Sequence, residues 1–108
     1  MSKIQSFNAG STDQIKLGKI RRFTVADKSL LVCNVDDQFY TVDDFCTHED
    51  APLSLGCLKG HDVECSLHGG RFNVITGEAT VEPAEIALQT YPTQIIDGQI
   101  IIELGDNT

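Results

Sequence analysis

The sequence predicts an all-β fold, an antiparallel β sandwich base with an inserted lobe, on three observations. None of the 108 residues belongs to a segment with sustained apolar spacing of 3.6 residues, the mark of an amphipathic helix. With no Trp and few other aromatics, the core must be filled by Ile, Leu and Val, and β-branched side chains favour strands. Short apolar runs also alternate with turn-forming pairs, the punctuation of an antiparallel meander. A chain of this length forms one domain, residues 1–108, because two halves could not each bury a core.

Met1 to Gly10 has no apolar core of signal-peptide length, and no stretch approaches the roughly 18 apolar residues of a membrane span. A cytoplasmic protein is expected. Residues 19–25 read as a strand. Within them Arg21-Arg22-Phe23 imitates a twin-arginine export signal, but Asp27 and Lys28 interrupt the run that would have to be apolar. Asp27-Lys28 is read as a turn, residues 29–35 as the next strand, Asp36-Asp37 as a second turn and residues 38–42 as a third strand. Near the C-terminus Asp97-Gly98 is a two-residue hairpin signal, since both residues tolerate the positive φ of a type I′ turn. Ile100, Ile102 and Leu104 then alternate with Gln99, Ile101 and Glu103, so this strand has one buried face and is expected to close the sheet.

Residues 43–85 hold all three His and three of the four Cys, and strand signal weakens there except over residues 62–65 and 71–74. Two pairs stand out in this lobe: Cys46-Thr47-His48 and Cys65-Ser66-Leu67-His68. Each sets a thiolate beside an imidazole within one tight loop, and together they make a Cys₂His₂ donor set. Four cysteines in a cytosolic chain point to metal or redox chemistry before a disulfide framework. Zinc accepts such a set, but finger sites group Cys with Cys and His with His, and a helix usually bears the histidines. A [2Fe-2S] cluster accounts for the mixed pairs, because its two irons can take the cysteines and the histidines separately.

The segments Cys46-Thr47-His48 and Cys65-Ser66-Leu67-His68-Gly69-Gly70-Arg71-Phe72 resemble the two cluster loops of the Rieske family. The similarity extends from about Phe39 through Asp62-Val63-Glu64-Cys65, Thr76-Gly77 and Pro83 to Tyr91, most of the chain. In particular the chain is similar to the Rieske-type ferredoxins of bacterial multicomponent aromatic-ring dioxygenases. The resemblance implies a Rieske-type fold with one [2Fe-2S] cluster, Cys46 and Cys65 on its buried iron, and His48 and His68 on the outer iron. It also implies a third loop, around Pro83, that covers the cluster.

Departures from the family carry information too. Rieske proteins of respiratory complexes have a further Cys in each loop, joined as a disulfide, where this chain has Ala51 and Leu67. They also present Ser and Tyr hydroxyls to the cluster sulfurs where this chain has Gly70 and Phe72. Without those donors the reduced, more negative cluster is less stabilised, so the potential is expected near the lower end of the Rieske range of roughly −150 to +300 mV.

The other candidates read more simply. His61, in a polar turn, is expected to be a solvated residue, Cys33 a small core residue and Cys57 a free thiol of the lobe. Glu49 and Asp50 place negative charge directly after His48, either as plain loop residues or as part of a docking surface.

The formal charge of −8 repels nucleic acid and anionic membranes and suits a partner with a basic docking face. No Gly-rich nucleotide fingerprint follows a strand, and once His48 and His68 are ligands only His61 remains, too few for a mononuclear 2-His-1-carboxylate iron site. The function expected is that of a soluble one-electron carrier, itself no enzyme, passing electrons from an NAD(P)H-dependent reductase to a terminal dioxygenase. The alternatives are a Rieske-like small subunit of an assimilatory nitrite reductase and a zinc-stabilised binding module.

Overall fold

The computed structural model describes residues 4–25, 28–45, 52–66, 69–82, 84 and 86–105, and these form three antiparallel sheets. The first places β11 (Gln99–Gly105) between β1 (Ile4–Ser11) and β10 (Thr93–Ile96). The second runs in the order β2 (Ile20–Val25), β3 (Lys28–Val35), β4 (Gln38–Asp43) and β9 (Thr90–Tyr91). The third, the lobe, runs β5 (Cys57–Lys59), β6 (Asp62–Glu64), β7 (Arg71–Asn73) and β8 (Ala79–Val81).

β3 joins the layers. Successive side chains of a strand point to opposite faces, and both faces of β3 are apolar and covered. Leu30 and Val32 pack with Ile100, Ile102, Leu104 and Tyr91, the core between the first and second sheets. Leu31, Cys33 and Val35 pack with Val42, Leu53, Val63 and Phe72, the core that seats the lobe on the second sheet. This is why the run Leu30-Leu31-Val32-Cys33 is continuous rather than alternating, as for any strand buried on both sides.

The expected meander is present: β2, β3 and β4 start and stop within about a residue of the predicted strands, and Lys28, expected in the turn, opens β3 instead. The turn signals translate directly, with Asp36 and Asp37 at φ 53° and 66° and Asp97 and Gly98 at 50° and 75°. β11 does not close the meander's sheet. It is the centre of a separate sheet, flanked by β10 through the Asp97-Gly98 turn and by β1, whose Phe7 pairs with Ile102. β1 has no counterpart among the expected strands. The helical content of the described residues is two short 3-10 turns, Thr12–Gln14 and Leu53–Leu55, and no helix among them is long and apolar enough to cross a membrane.

Charge is distributed unevenly over these layers. Six of the eight Lys and Arg but only two of the sixteen acids lie in residues 1–35, leaving +4 there and −12 in the remainder. Lys16, Lys19, Arg21, Arg22 and Lys28 run along the edge strand β2 and its flanks, whereas the lobe sheet and its turns carry Asp62, Glu64, Glu78 and Glu82 against Lys59 and Arg71.

Candidate metal centre

Both predicted metal pairs lie in loops whose ends are tied down. The first loop leaves β4 at Asp44, and a bridge between Phe45 and Pro52 brings its two ends together. The Leu53 amide donates to the Asp44 carbonyl and closes it. Cys46 and His48, with Glu49, Asp50 and Ala51, lie between these ends and outside the described residues.

The second loop leaves β6 at Cys65. The Cys65 amide donates to the Gly70 carbonyl at 2.7 Å, and the Gly69 amide to the Cys65 carbonyl at 3.3 Å. So tight a reversal needs a left-handed residue, and Gly69 supplies it at φ 74°. Leu67 and His68 lie inside this turn, outside the described residues, as does Pro83 of the third segment. Of the four predicted ligands, the described structure therefore contains Cys65.

Cys65 is 1% exposed and belongs to the same core as Leu53, where the first loop ends. Both loops are thus rooted in one apolar layer. Beside Cys65 is an open hollow of about 400 Å³, walled by Leu55, Gly56 and Cys57 after the first loop and by Glu64, Ser66 and Gly69 of the second. A Cβ at Gly56 would collide with the Glu64 carbonyl oxygen, so glycine there lets the two segments meet. A soft thiol at the end of an ordered strand, screened from water and next to an open space between two loops, suits the cysteine-bound iron of a [2Fe-2S] cluster.

The third segment is tied down as well. The Leu88 amide donates to the Gly77 carbonyl at 2.7 Å, and Ala84 and Leu88 are buried in the lobe's core. Tyr91 donates its hydroxyl to the Asp43 carboxylate at 2.6 Å, which pins β9 beside the start of the first loop. Burial, and then the Asp43 bond and charge, push the Tyr91 hydroxyl well above its ordinary range, so it stays a donor.

The remaining cysteines and His61 match their expected settings in most respects. Cys33 is a buried free thiol, and burial, reinforced by the charge of Asp44, raises its pKa far above the usual range, so it acts as a small apolar side chain. Cys57 is an exposed free thiol on β5. His61 does sit in a turn, but its Nε2 lies 3.7 Å from Asp36 Oδ2, a link between the lobe's far turn and the β3–β4 turn. Its spacing gave no sign of that partner.

Asp44, the residue where the first loop begins, escaped the sequence reading. Its side chain is 0% exposed, accepts from the Ser54 amide at 2.8 Å and the Ser54 hydroxyl at 3.3 Å, and forms an ion pair with Arg22, whose Nε lies 3.1 Å from Oδ2. Burial raises its pKa, while the Ser54 bonds and the Arg22 charge pull it back.

Residues 5–92 match the family model described as Rieske [2Fe-2S] domain. The chain is 36% identical over 102 residues to the ferredoxin component of the naphthalene 1,2-dioxygenase system of Pseudomonas putida, covering 94% of this chain and 98% of that one. It is 38% identical over 97 residues to the ferredoxin component of the p-cumate 2,3-dioxygenase system of Pseudomonas putida, covering 88% and 82%. Among solved structures it superposes on the ferredoxin of carbazole 1,9a-dioxygenase from Nocardioides aromaticivorans IC177 with a TM-score of 0.87 at 28% identity, over 90% of this chain and 95% of that one. In a complex of reduced oxygenase and oxidized ferredoxin in carbazole 1,9a-dioxygenase, the matching chain gives a TM-score of 0.85 at 36% identity, over 90% and 91%. With one family model spanning both loops and relatives matched nearly end to end, the chain belongs to the Rieske [2Fe-2S] domain family.

Proposed function

We propose that this chain is the ferredoxin component of a multicomponent aromatic-ring dioxygenase system, carrying single electrons from a reductase to a terminal oxygenase. The observation that carries the reading is the near end-to-end match to dioxygenase ferredoxin components, 94% of this chain against 98% of the naphthalene relative. Larger proteins share the fold as one part only. Apo dicamba monooxygenase gives a TM-score of 0.81, but the match covers 32% of that chain at 24% identity, a likeness of fold alone. The chain is an electron-transfer component and not the catalyst.

One [2Fe-2S] cluster supplies a one-electron acceptor and donor when bound. The ligands we assign are Cys46 and Cys65 on one iron and His48 and His68 on the other. What supports the assignment is the buried thiol of Cys65 and the tied ends of both loops, which hold each Cys-His pair over a short span. With the cysteines on the inner iron and the histidines on the outer one, the imidazoles would be the ligands through which a docked partner exchanges its electron. The reading also takes residues 1–108 as one domain, supported by two cores that share β3, and places the chain in the cytoplasm, supported by the free thiols of Cys33 and Cys57.

Iron and sulfide analysis with EPR of the reduced protein tests the reading. About two irons and two inorganic sulfides per chain, with a Rieske-type signal, are expected. A colourless protein with one zinc overturns it. Reconstitution with candidate reductases and oxygenases then identifies the system, and transfer that needs no reductase or oxygenase partner contradicts the carrier role.

A further inference from the structure

Asp44 holds a carboxylate that the carrier function does not by itself require. Burying a carboxylate is costly, and an apolar side chain of similar volume often serves stability as well or better. Yet this one is wholly buried, with both oxygens bonded. Its backbone is engaged too: the amide donates to the Ser29 carbonyl at 3.0 Å, and the carbonyl accepts from Leu53.

These partners come from separate places. Arg22 is on β2, Ser29 near the start of β3, and Leu53 and Ser54 form the 3-10 turn that ends the first loop. Asp44 stands where the chain leaves the base, and it grips the chain again where it returns. Among the described residues, Asp44 bonds to both ends of the segment that carries Cys46 and His48, beside the Phe45–Pro52 bridge and the buried Leu53. Hydrogen bonds to a charged group are roughly twice as strong as neutral ones and have narrower geometry, so such a grip fixes position as well as holding the ends together.

We infer that Asp44 is a positioning residue: with Ser54 and Arg22 it sets the placement of the first loop, and so of Cys46 and His48, relative to Cys65. The inference rests on the ligand assignment above. It says that Asp44 tunes the electronic signature and retention of the cluster, an effect separate from general stability.

The experiment uses the purified holoprotein and four variants: Asp44→Ala, Asp44→Asn, Ser54→Ala and Asn34→Ala. Asn34 is the control. It is 3% exposed, donates to the Ile15 carbonyl and accepts from the Asp37 amide, both at 2.9 Å. It lies toward the other end of β3 from Ser29, about 16 Å away at the usual strand rise.

Each protein is measured for the EPR spectrum of the reduced cluster, the midpoint potential, the rate of bleaching under an iron chelator and Tm. Asp44→Ala is expected to change the EPR line positions or widths, shift the potential and bleach about tenfold faster, the scale of one lost charge-assisted hydrogen bond. Asp44→Asn keeps an acceptor for the Ser54 amide and is expected to fall between Asp44→Ala and wild type, and Ser54→Ala to bleach faster than wild type by a smaller factor. Asn34→Ala is expected to lower Tm with EPR and potential unchanged.

Wild-type EPR, potential and bleaching in Asp44→Ala overturn the inference. So do equal spectral changes in Asn34→Ala at matched Tm, which would make Asp44 a stability residue only. If Asp44→Ala does not fold, the same criteria apply to Asp44→Asn and Ser54→Ala. A wild type with no [2Fe-2S] signal overturns the cluster assignment itself and the inference with it, so the wild-type spectrum tells the two failures apart.

Discussion

In the base, β1 and β3 run to eight residues and β11 to seven, while each of the lobe's four strands has three. Both regions bury apolar side chains completely: Leu30, Ile100 and Ile102 in one, Leu31, Val63 and Phe72 in the other. Long strands fix their own register and close a core around it. Three-residue strands cannot, since isolated short hairpins are marginal in water. The base is thus ordered by its ladders, and the lobe by what it packs on and what its loops bind. Metal binding energy becomes folding energy in such a region.

The largest expected effect follows from that contrast. Cys65→Ala should abolish the visible chromophore and release amide protection across β5–β8, while β1 and β11 keep theirs in hydrogen exchange. Equal loss in the base would show that base and lobe are one cooperative unit. His48→Ala or His68→Ala should also disable or alter the cluster.

Leu30 and Leu31 sharpen the comparison, being neighbours on β3, both 0% exposed and facing different layers. Either Leu→Ala change should cost about 2–5 kcal/mol of unfolding free energy by cavity formation. Only Leu31→Ala should also speed cluster loss, as followed by absorbance under chelator. Identical bleaching in the two variants would mean the lobe does not depend on its own side of β3.

Phe72→Tyr is expected to act more gently. The added hydroxyl restores a donor of the kind high-potential relatives carry, and a bond favouring the reduced state by about 1 kcal/mol raises a one-electron potential by roughly 40 mV. Phe72 is wholly buried opposite Val63, so a hydroxyl without an acceptor would instead lower stability by about 1–3 kcal/mol at an unchanged potential. Voltammetry with thermal denaturation separates the outcomes.

The smallest change belongs to His61→Ala, which removes an exposed pair between lobe and base. It should cost between about 0 and 1 kcal/mol in chemical denaturation and leave the optical spectrum as it was. Bleaching in this variant would mean the ligand set has been misassigned.

How much of this was legible in the sequence depended on distance along the chain. Asp97-Gly98 announced its hairpin because a turn is written in its own two residues. The two Cys-His pairs stood out for the same reason, each placing a Cys and a His within a few positions. β1 was not, since Ile4 to Ser11 has no clean alternation and is made a strand by β11, nearly the whole chain away. Nor was the separate sheet around β11, because alternation shows that a face is buried and not which sheet covers it. Asp44 carried no signal in its own neighbourhood. Its meaning depends on Ser54, ten positions on, and on Arg22 of another strand.

The division between a basic N-terminal third and an acidic remainder of the chain gives the molecule an uneven field as well as a net charge. A free particle so charged is turned by an external field before it is drawn in. Near a partner with a basic face, torque turns the more acidic side forward and the more basic side away, so fewer encounters begin in the wrong orientation. Fields of this kind raise association rates by about 10- to 1,000-fold and fade over a Debye length of about 8 Å at physiological salt. Residues 36–108, at −12 and containing both cluster loops, would thus be drawn toward such a partner ahead of residues 1–35, at +4.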